Sequence, residues 1–329
     1  MKLFTKGGKI INRGYKGIVM DLYNKDKDDT NSLYNELKTA NPDNLKLISI
    51  DETFKIPKNE IENVLKLMKT KADKTLVKKF VYVSLFFGSN EKHFKNELDG
   101  YKQLISIFGK DISKYTTVKR GFEYNNKDIY GISFNDNYYI FLEKCYKTLE
   151  NIQFTPKTLH KCVKEIIEML DIMRTHNYIH NDIKPDNIIL CKNRFKLIDW
   201  ESSNFIKNQA STFINSKNGN LVFNHPIKFY RIGVPYSFYR YIYDAEMHTY
   251  DYLTDLNSPT VITDLVYDSF NQVVDRYNKK GSSKDKDFYL KMADYYSFAL
   301  VVIYMAEKNK IDYPKKVIDE ILANYFIKK

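Results

Sequence analysis

The sequence predicts an α+β fold of two lobes, a small strand-rich lobe followed by a mainly helical one. Three observations carry this. The 329 residues are enough for two lobes, each with a real core. Short apolar runs with strand character recur up to Leu142, and the longest helical pattern, residues 156–177, follows them. Between them and the C-terminus, residues 179–201 read as a polar loop, a strand from Ile188 to Leu190, a turn, and a strand from Phe195 to Ile198 that ends on Asp199. Pro185 and Asp186 favour the loop, and Asn193 favours the turn.

That hairpin brings Asp182, Lys184 and Asn187 to one end, with Asp199 returning beside them. Carboxylate and amide oxygens suit Mg²⁺, and an ammonium neutralises phosphate charge. A polar β-turn in another α/β domain is the plain alternative. Four polar positions together with an apolar return strand argue against it.

His180 to Asn187, HNDIKPDN, resembles the catalytic loop of the eukaryotic-type Ser/Thr protein kinases, and Ile198-Asp199-Trp200 resembles their metal-binding segment. The divergence and composition are similar to kinases of large DNA viruses. The resemblance implies a two-lobed protein-kinase-like fold and transfer of the ATP γ-phosphate to a protein hydroxyl. It implies Asp182 as catalytic base, Lys184 on the transferred phosphate, and Asn187 and Asp199 as Mg²⁺ ligands. Lys184 favours Ser/Thr over Tyr by analogy. ATP and Mg²⁺ are the implied cofactors, and an unidentified protein is the implied substrate.

Taken in order, Ile10 to Met20 carry strand residues around Gly14 and Gly17. Glycines let backbone N–H groups approach phosphate. This resembles the Gly-rich loop, with Val19 over the adenine and Asn12 in place of the first glycine. Residues 24–73 depart from the family and read as an insertion on the small lobe, with a strand at Leu45–Ile50 and a helix from about Pro57. Thr75 to Ser84 is a strand in which Lys78 is the expected phosphate-binding lysine, with Lys79 on the opposite face. Glu97 follows Lys78 by 19 residues on a helix, where the family's paired glutamate stands.

Strand-like runs at 128–134 and 138–142 lead to Glu143-Lys144-Cys145, the expected hinge. Its backbone N–H and C=O groups would bind adenine, with Leu142 guarding the pocket. Residues 1–142 are thus the expected N-lobe and 143–329 the C-lobe. After Asp199 the chain reads as a polar, flexible activation segment with Ser202, Ser203, Ser211, Thr212 and Ser216. Gly219 to Pro226 resembles its end. Residues 228–288 are a second insertion, Asp294 to Tyr304 resembles the helix whose Asp braces the catalytic loop, and the C-terminus is shortened. Either insertion could seat a regulatory partner. Asn181 replaces the usual Arg and is neutral, so phosphorylation of the segment is expected to add little.

The net charge of +11 comes from lysines spread along the chain, which reads as a solvated surface rather than a nucleic-acid footprint. No apolar run reaches membrane-span length, and the N-terminus lacks a signal-peptide core. Cys145, Cys162 and Cys191 are scattered, and His176 and His180 do not form a zinc site. A reduced, cytoplasmic setting is expected, in a host cell or virion if the chain is viral. Two rivals stand beside the protein kinase: a small-molecule kinase of the choline or aminoglycoside type, and a pseudokinase scaffold.

Overall fold

The computed structural model describes residues 10–13, 17–21, 45–49, 51–71, 76–81, 90–134, 137–143, 145, 147–206 and 283–312. Gly14, Lys144, the segment 207–227, nearly all of the insertion at 228–288 and residues 313–329 lie outside them, as does the first part of the insertion at 24–73. The chain divides into two compact units, Met1–Tyr146 and Lys147–Lys329.

Unit 1 is built on one antiparallel sheet. Its strands are β1 (Ile10–Arg13), β2 (Gly17–Asp21), β3 (Lys46–Ser49), β4 (Thr53–Lys55), β5 (Leu76–Val81), β6 (Phe122–Tyr124), β7 (Lys127–Phe134) and β8 (Asn137–Glu143). The order is β1-β2-β5-β8-β7-β3-β4, and β6 pairs with β7. The described part of the insertion therefore extends the sheet as its edge hairpin, β3–β4, rather than only resting on it. Helix α1 (Ile61–Lys71) covers one face. Its Val64 joins Leu45, Leu47, Phe122, Ile129, Ile132 and Phe141 in one core cluster, with Ile61 and Leu67 against it. Helix α2 (Asn90–Phe108) buries Leu98, Tyr101 and Leu104, spaced as one helical stripe, and packs on β5 and β8.

Gly121 N–H donates to Ile129 O at 2.8 Å, and a Cβ on Gly121 would overlap the ring of Phe141. Phe141 is fully enclosed and has nowhere to retreat. Gly121→Ala should cost about 1–3 kcal/mol through overpacking. Urea denaturation measures it, and an unchanged midpoint would show that the Phe141 ring can move.

Unit 2 has helix α3 (Pro156–Thr175) as its first large element. The Thr155 hydroxyl caps it by accepting the Thr158 N–H at 3.2 Å, and Pro156 opens its first turn. Leu159, Val163, Ile166, Leu170 and Met173 form its buried stripe. It ends at Thr175 with His176 as its C-cap, and Asn177 follows at a left-handed φ of 55°, a conformation that asparagine tolerates. Strands β9 (Lys147–Thr148), β11 (Ile188–Cys191) and β12 (Arg194–Leu197) form a small sheet in the order β12-β11-β9. Strand β10 (Tyr178–Ile179) pairs with β13 (Asn204–Phe205). Helix α4 (Ser283–Asn309) is mostly apolar between Leu290 and Ala306, with Lys291, Asp294 and Ser297 as its polar positions, and all of that stretch but Lys291 is buried. Among the described residues, no helix is long and apolar enough to cross a membrane.

Candidate functional site

In unit 2 the loop between β10 and β11 is held from below by α4. The buried Asp294 carboxylate accepts the His180 N–H at 2.6 Å and the Asn181 N–H at 2.9 Å. Asn181 sits at φ 71°, so this clamp holds a residue in a sparsely populated conformation. His180 is fully buried, and burial lowers its pKa against the pull of Asp294 and Asp182, so the ring stays neutral. Its Nε2 lies 3.0 Å from Ile198 O, and its Nδ1 accepts the Asp182 N–H at 3.3 Å. The two contacts select the tautomer with the proton on Nε2.

Asp182 Oδ2 lies 3.1 Å from Lys184 Nζ and accepts Asn187 Nδ2 at 2.9 Å; the same amide also donates to Asp182 O at 2.8 Å. Burial pulls the Lys184 ammonium down, but Asp182 foremost, with Asp199 and Asp186, outweighs it and leaves the pKa raised. Lys184 therefore stays charged. Asn187 spends its amide protons on Asp182, so its Oδ1 is the atom suited to a cation.

The hairpin then returns. Strands β11 and β12 pair Ile188 with Leu197, and Ile198 N–H donates to Asn187 O at 2.9 Å. This register sets Asp199 beside the Asp186–Asn187 end. Asp199 itself is left-handed, φ 67° and ψ 69°. Two carboxylates, one amide oxygen and one ammonium thus converge in unit 2, a donor set that fits a hard divalent cation and phosphate oxygens.

The stretch after Asp199 is not loose where it is described, contrary to the flexible segment expected from its polar residues. Trp200 is buried, its ring centroid 4.4 Å from that of His180, and its Nε1 donates to Leu197 O at 3.3 Å. Ser203 Oγ donates to Trp200 O at 2.5 Å and lies 2.6 Å from Tyr178 Oη. Asn181 Nδ2 donates to Ser202 O at 3.3 Å, and Ile206 N–H donates to Asn177 O at 2.8 Å. The Ser203 hydroxyl has a backbone and a tyrosine partner, which composition cannot reveal.

In unit 1 the β-ladder gives the register of the adjacent lysines. Lys78 stands opposite Met20 and Phe141, whereas Lys79 stands opposite Val19 and Ile140, and Val77 opposite Leu142. Directly opposed residues share a face of the sheet. Lys79, not Lys78, therefore shares a face with Val19 and Leu142, the two residues expected at the nucleotide. The other face, that of Phe141, belongs to the cluster packed by α1. Glu97 is 2% exposed on α2 and accepts the Tyr101 hydroxyl at 3.3 Å. At the expected hinge, Glu143 N–H donates to Thr117 O at 2.6 Å, so that donor is already used. Cys145 is buried nearby in sequence, with its Sγ 3.4 Å from Glu143 O.

The chain is 35% identical over 116 residues to dual specificity protein kinase zak2 of Dictyostelium discoideum, covering 35% of this chain and 16% of that protein. It is 27% identical over 150 residues to dual specificity protein kinase zakA of the same organism, covering 42% and 17%. It is 28% identical over 127 residues to pseudokinase OPG198 of Vaccinia virus (strain Ankara), covering 38% and 44%. The matched parts thus span less than half the length of these relatives. The profile of the protein kinase domain matches residues 56–226, more than half of the chain, from the insertion helix through the loop of Asp182 and beyond Asp199. The chain belongs to the protein kinase domain family, and its α+β fold, strand-rich in unit 1 and mainly helical in unit 2, is the one that family implies.

Proposed function

We propose that this chain is an active Ser/Thr protein kinase that transfers the γ-phosphate of Mg²⁺-ATP to a protein hydroxyl. The observation that carries the proposal is the joined set Asp182, Lys184, Asn187 and Asp199, held by Asp294 and His180. Mg²⁺ supplies charge neutralisation on the phosphates when bound. Asn187 Oδ1 and the Asp199 carboxylate would hold it. Asp182 Oδ2 is engaged by Lys184 and Asn187, which leaves Oδ1 to accept the proton of the substrate hydroxyl. Lys184 would stabilise the transferred phosphoryl group. In unit 1, Gly14, Gly17 and Val19, with the backbone at Glu143 and Cys145, are the proposed ATP-binding positions. Glu97 would pair with the phosphate-binding lysine.

That lysine is proposed as Lys79 in place of Lys78, because only Lys79 shares a face with Val19. Lys79→Met should lose most transfer activity, on the order of a hundredfold. Lys78→Met should retain it. The reverse pattern would mean that Val19 and Leu142 are not at the nucleotide.

A pseudokinase scaffold is the second reading, favoured by the vaccinia relative and by Trp200-Glu201 where the family has Phe-Gly. The test is purified protein with Mg²⁺ and γ-labelled ATP, offered basic and acidic proteins, choline and an aminoglycoside in separate reactions. Label on Ser or Thr of a protein is expected. Label on tyrosine would widen the specificity, label on a small molecule would move the chain to that kinase type, and no label at all would favour the scaffold. An intracellular setting and a regulatory partner at either insertion belong to the same proposal.

A further inference from the structure

The hairpin β11–β12 carries Asn187 and Asp199 at its open end, so its register sets how the two stand to one another. The apolar pattern does not choose that register. Ile188, Ile189, Leu190 and Cys191 are all apolar, and in β12 Phe195, Lys196 and Leu197 are all buried. A strand with both faces alike can slip by one residue at little cost, and such a slip exchanges every side chain between faces. The connection, Lys192-Asn193, contains no glycine, and Lys192 takes a φ of 57° there. Strand β12 is also the edge of its sheet.

One face of α3 grips the closed end instead. Lys161 Nζ donates to Asn193 Oδ1 at 2.6 Å and also reaches Asn193 O. Glu165 Oε2 accepts the Phe195 N–H at 2.9 Å, and Glu168 Oε1 accepts Arg194 Nη2 at 3.0 Å. Positions 161, 165 and 168 follow one another on that face. Glu165 is the most enclosed of the three, its side chain 14% exposed. Its bond goes to the backbone of β12 itself, so it fixes which residue of the strand lies there, and a slip would break it. Among the described residues no strand lies on the outer side of β12, so the Phe195 N–H would otherwise be an unpaired edge donor.

We propose that Glu165 is a positioning residue whose bond to the Phe195 N–H fixes the register of β12 and so the placement of Asp199 against Asn187. This rests on the reading of Asn187 and Asp199 as metal ligands. The reporter is the Ile198 N–H, which donates to Asn187 O at the far end of the strand. In the metal-free full chain, Glu165→Ala should speed amide exchange at Ile198 about tenfold, not at Phe195 alone. The same variant should raise the Mg²⁺ concentration for half-maximal transfer about tenfold, with a smaller change in kcat. Glu165→Gln, whose amide oxygen accepts the same N–H, should restore both. Faster exchange at Phe195 with Ile198 unchanged would overturn the proposal, and so would a uniform rise at all amides of unit 2. If the wild-type chain shows no Mg²⁺-dependent transfer, the ligand reading falls, and exchange at Ile198 alone then decides whether Glu165 holds the register.

Discussion

Asp199→Asn is expected to abolish Mg²⁺-ATP turnover while the chain stays folded. Asparagine keeps the size and removes the charge. It also tolerates the left-handed backbone at this position, φ 67° and ψ 69°, where alanine would add about 1–2 kcal/mol of strain of its own. The choice of asparagine thus separates chemistry from folding. Losing a carboxylate ligand where phosphate charge develops should cost roughly 4 kcal/mol, about a thousandfold in rate. The check is transfer from γ-labelled ATP beside a thermal melt. Wild-type turnover with a wild-type melt would remove Asp199 from the metal site.

The second large effect lies at Asp294, and it is one of stability. Its buried carboxylate satisfies two backbone donors, His180 N–H at 2.6 Å and Asn181 N–H at 2.9 Å. Asp294→Ala strands both. A buried donor left without an acceptor costs about 1–3 kcal/mol, and more where the lost partner was charged, so the pair should cost about 3–5 kcal/mol. Asp294→Asn keeps one acceptor oxygen and should fall between alanine and wild type. Urea denaturation of the three proteins orders them. Equal midpoints would show that the loop carries its own conformation and that α4 only lies beneath it.

Much of this was legible in the residues, for reasons that can be named. The loop and hairpin of 179–199 combine turn residues, two apolar runs and four polar side chains, so pattern and chemistry agree. Helix α3 announces itself by Thr155, Pro156 and an apolar stripe. Asp294 is an acid in the mostly apolar stretch Leu290–Ala306, and such a residue needs a partner. What the sequence hid depends on register and on tertiary partners. Lys78 and Lys79 are adjacent, and only the pairing of Lys79 with Val19 assigns the face. The β6–β7 hairpin escaped notice because its turn is Asn125-Asn126, both at positive φ, rather than a glycine turn. Asparagine's tolerance of that conformation was the available signal. The pairing of the expected strand β3 with β4, and the ties of Ser203 to Trp200 and Tyr178, leave no local signature.

The central claim is that Asp182, Lys184, Asn187 and Asp199 act as one site for Mg²⁺ and phosphate. Calorimetric titration of the wild-type chain with ATP, in Mg²⁺ and then in chelator, tests it most directly. The account predicts that Mg²⁺ tightens ATP binding about tenfold or more, at least ~1.4 kcal/mol, and that Asp199→Asn removes that increment. ATP binding that is indifferent to Mg²⁺, or an increment that survives in Asp199→Asn, would contradict it.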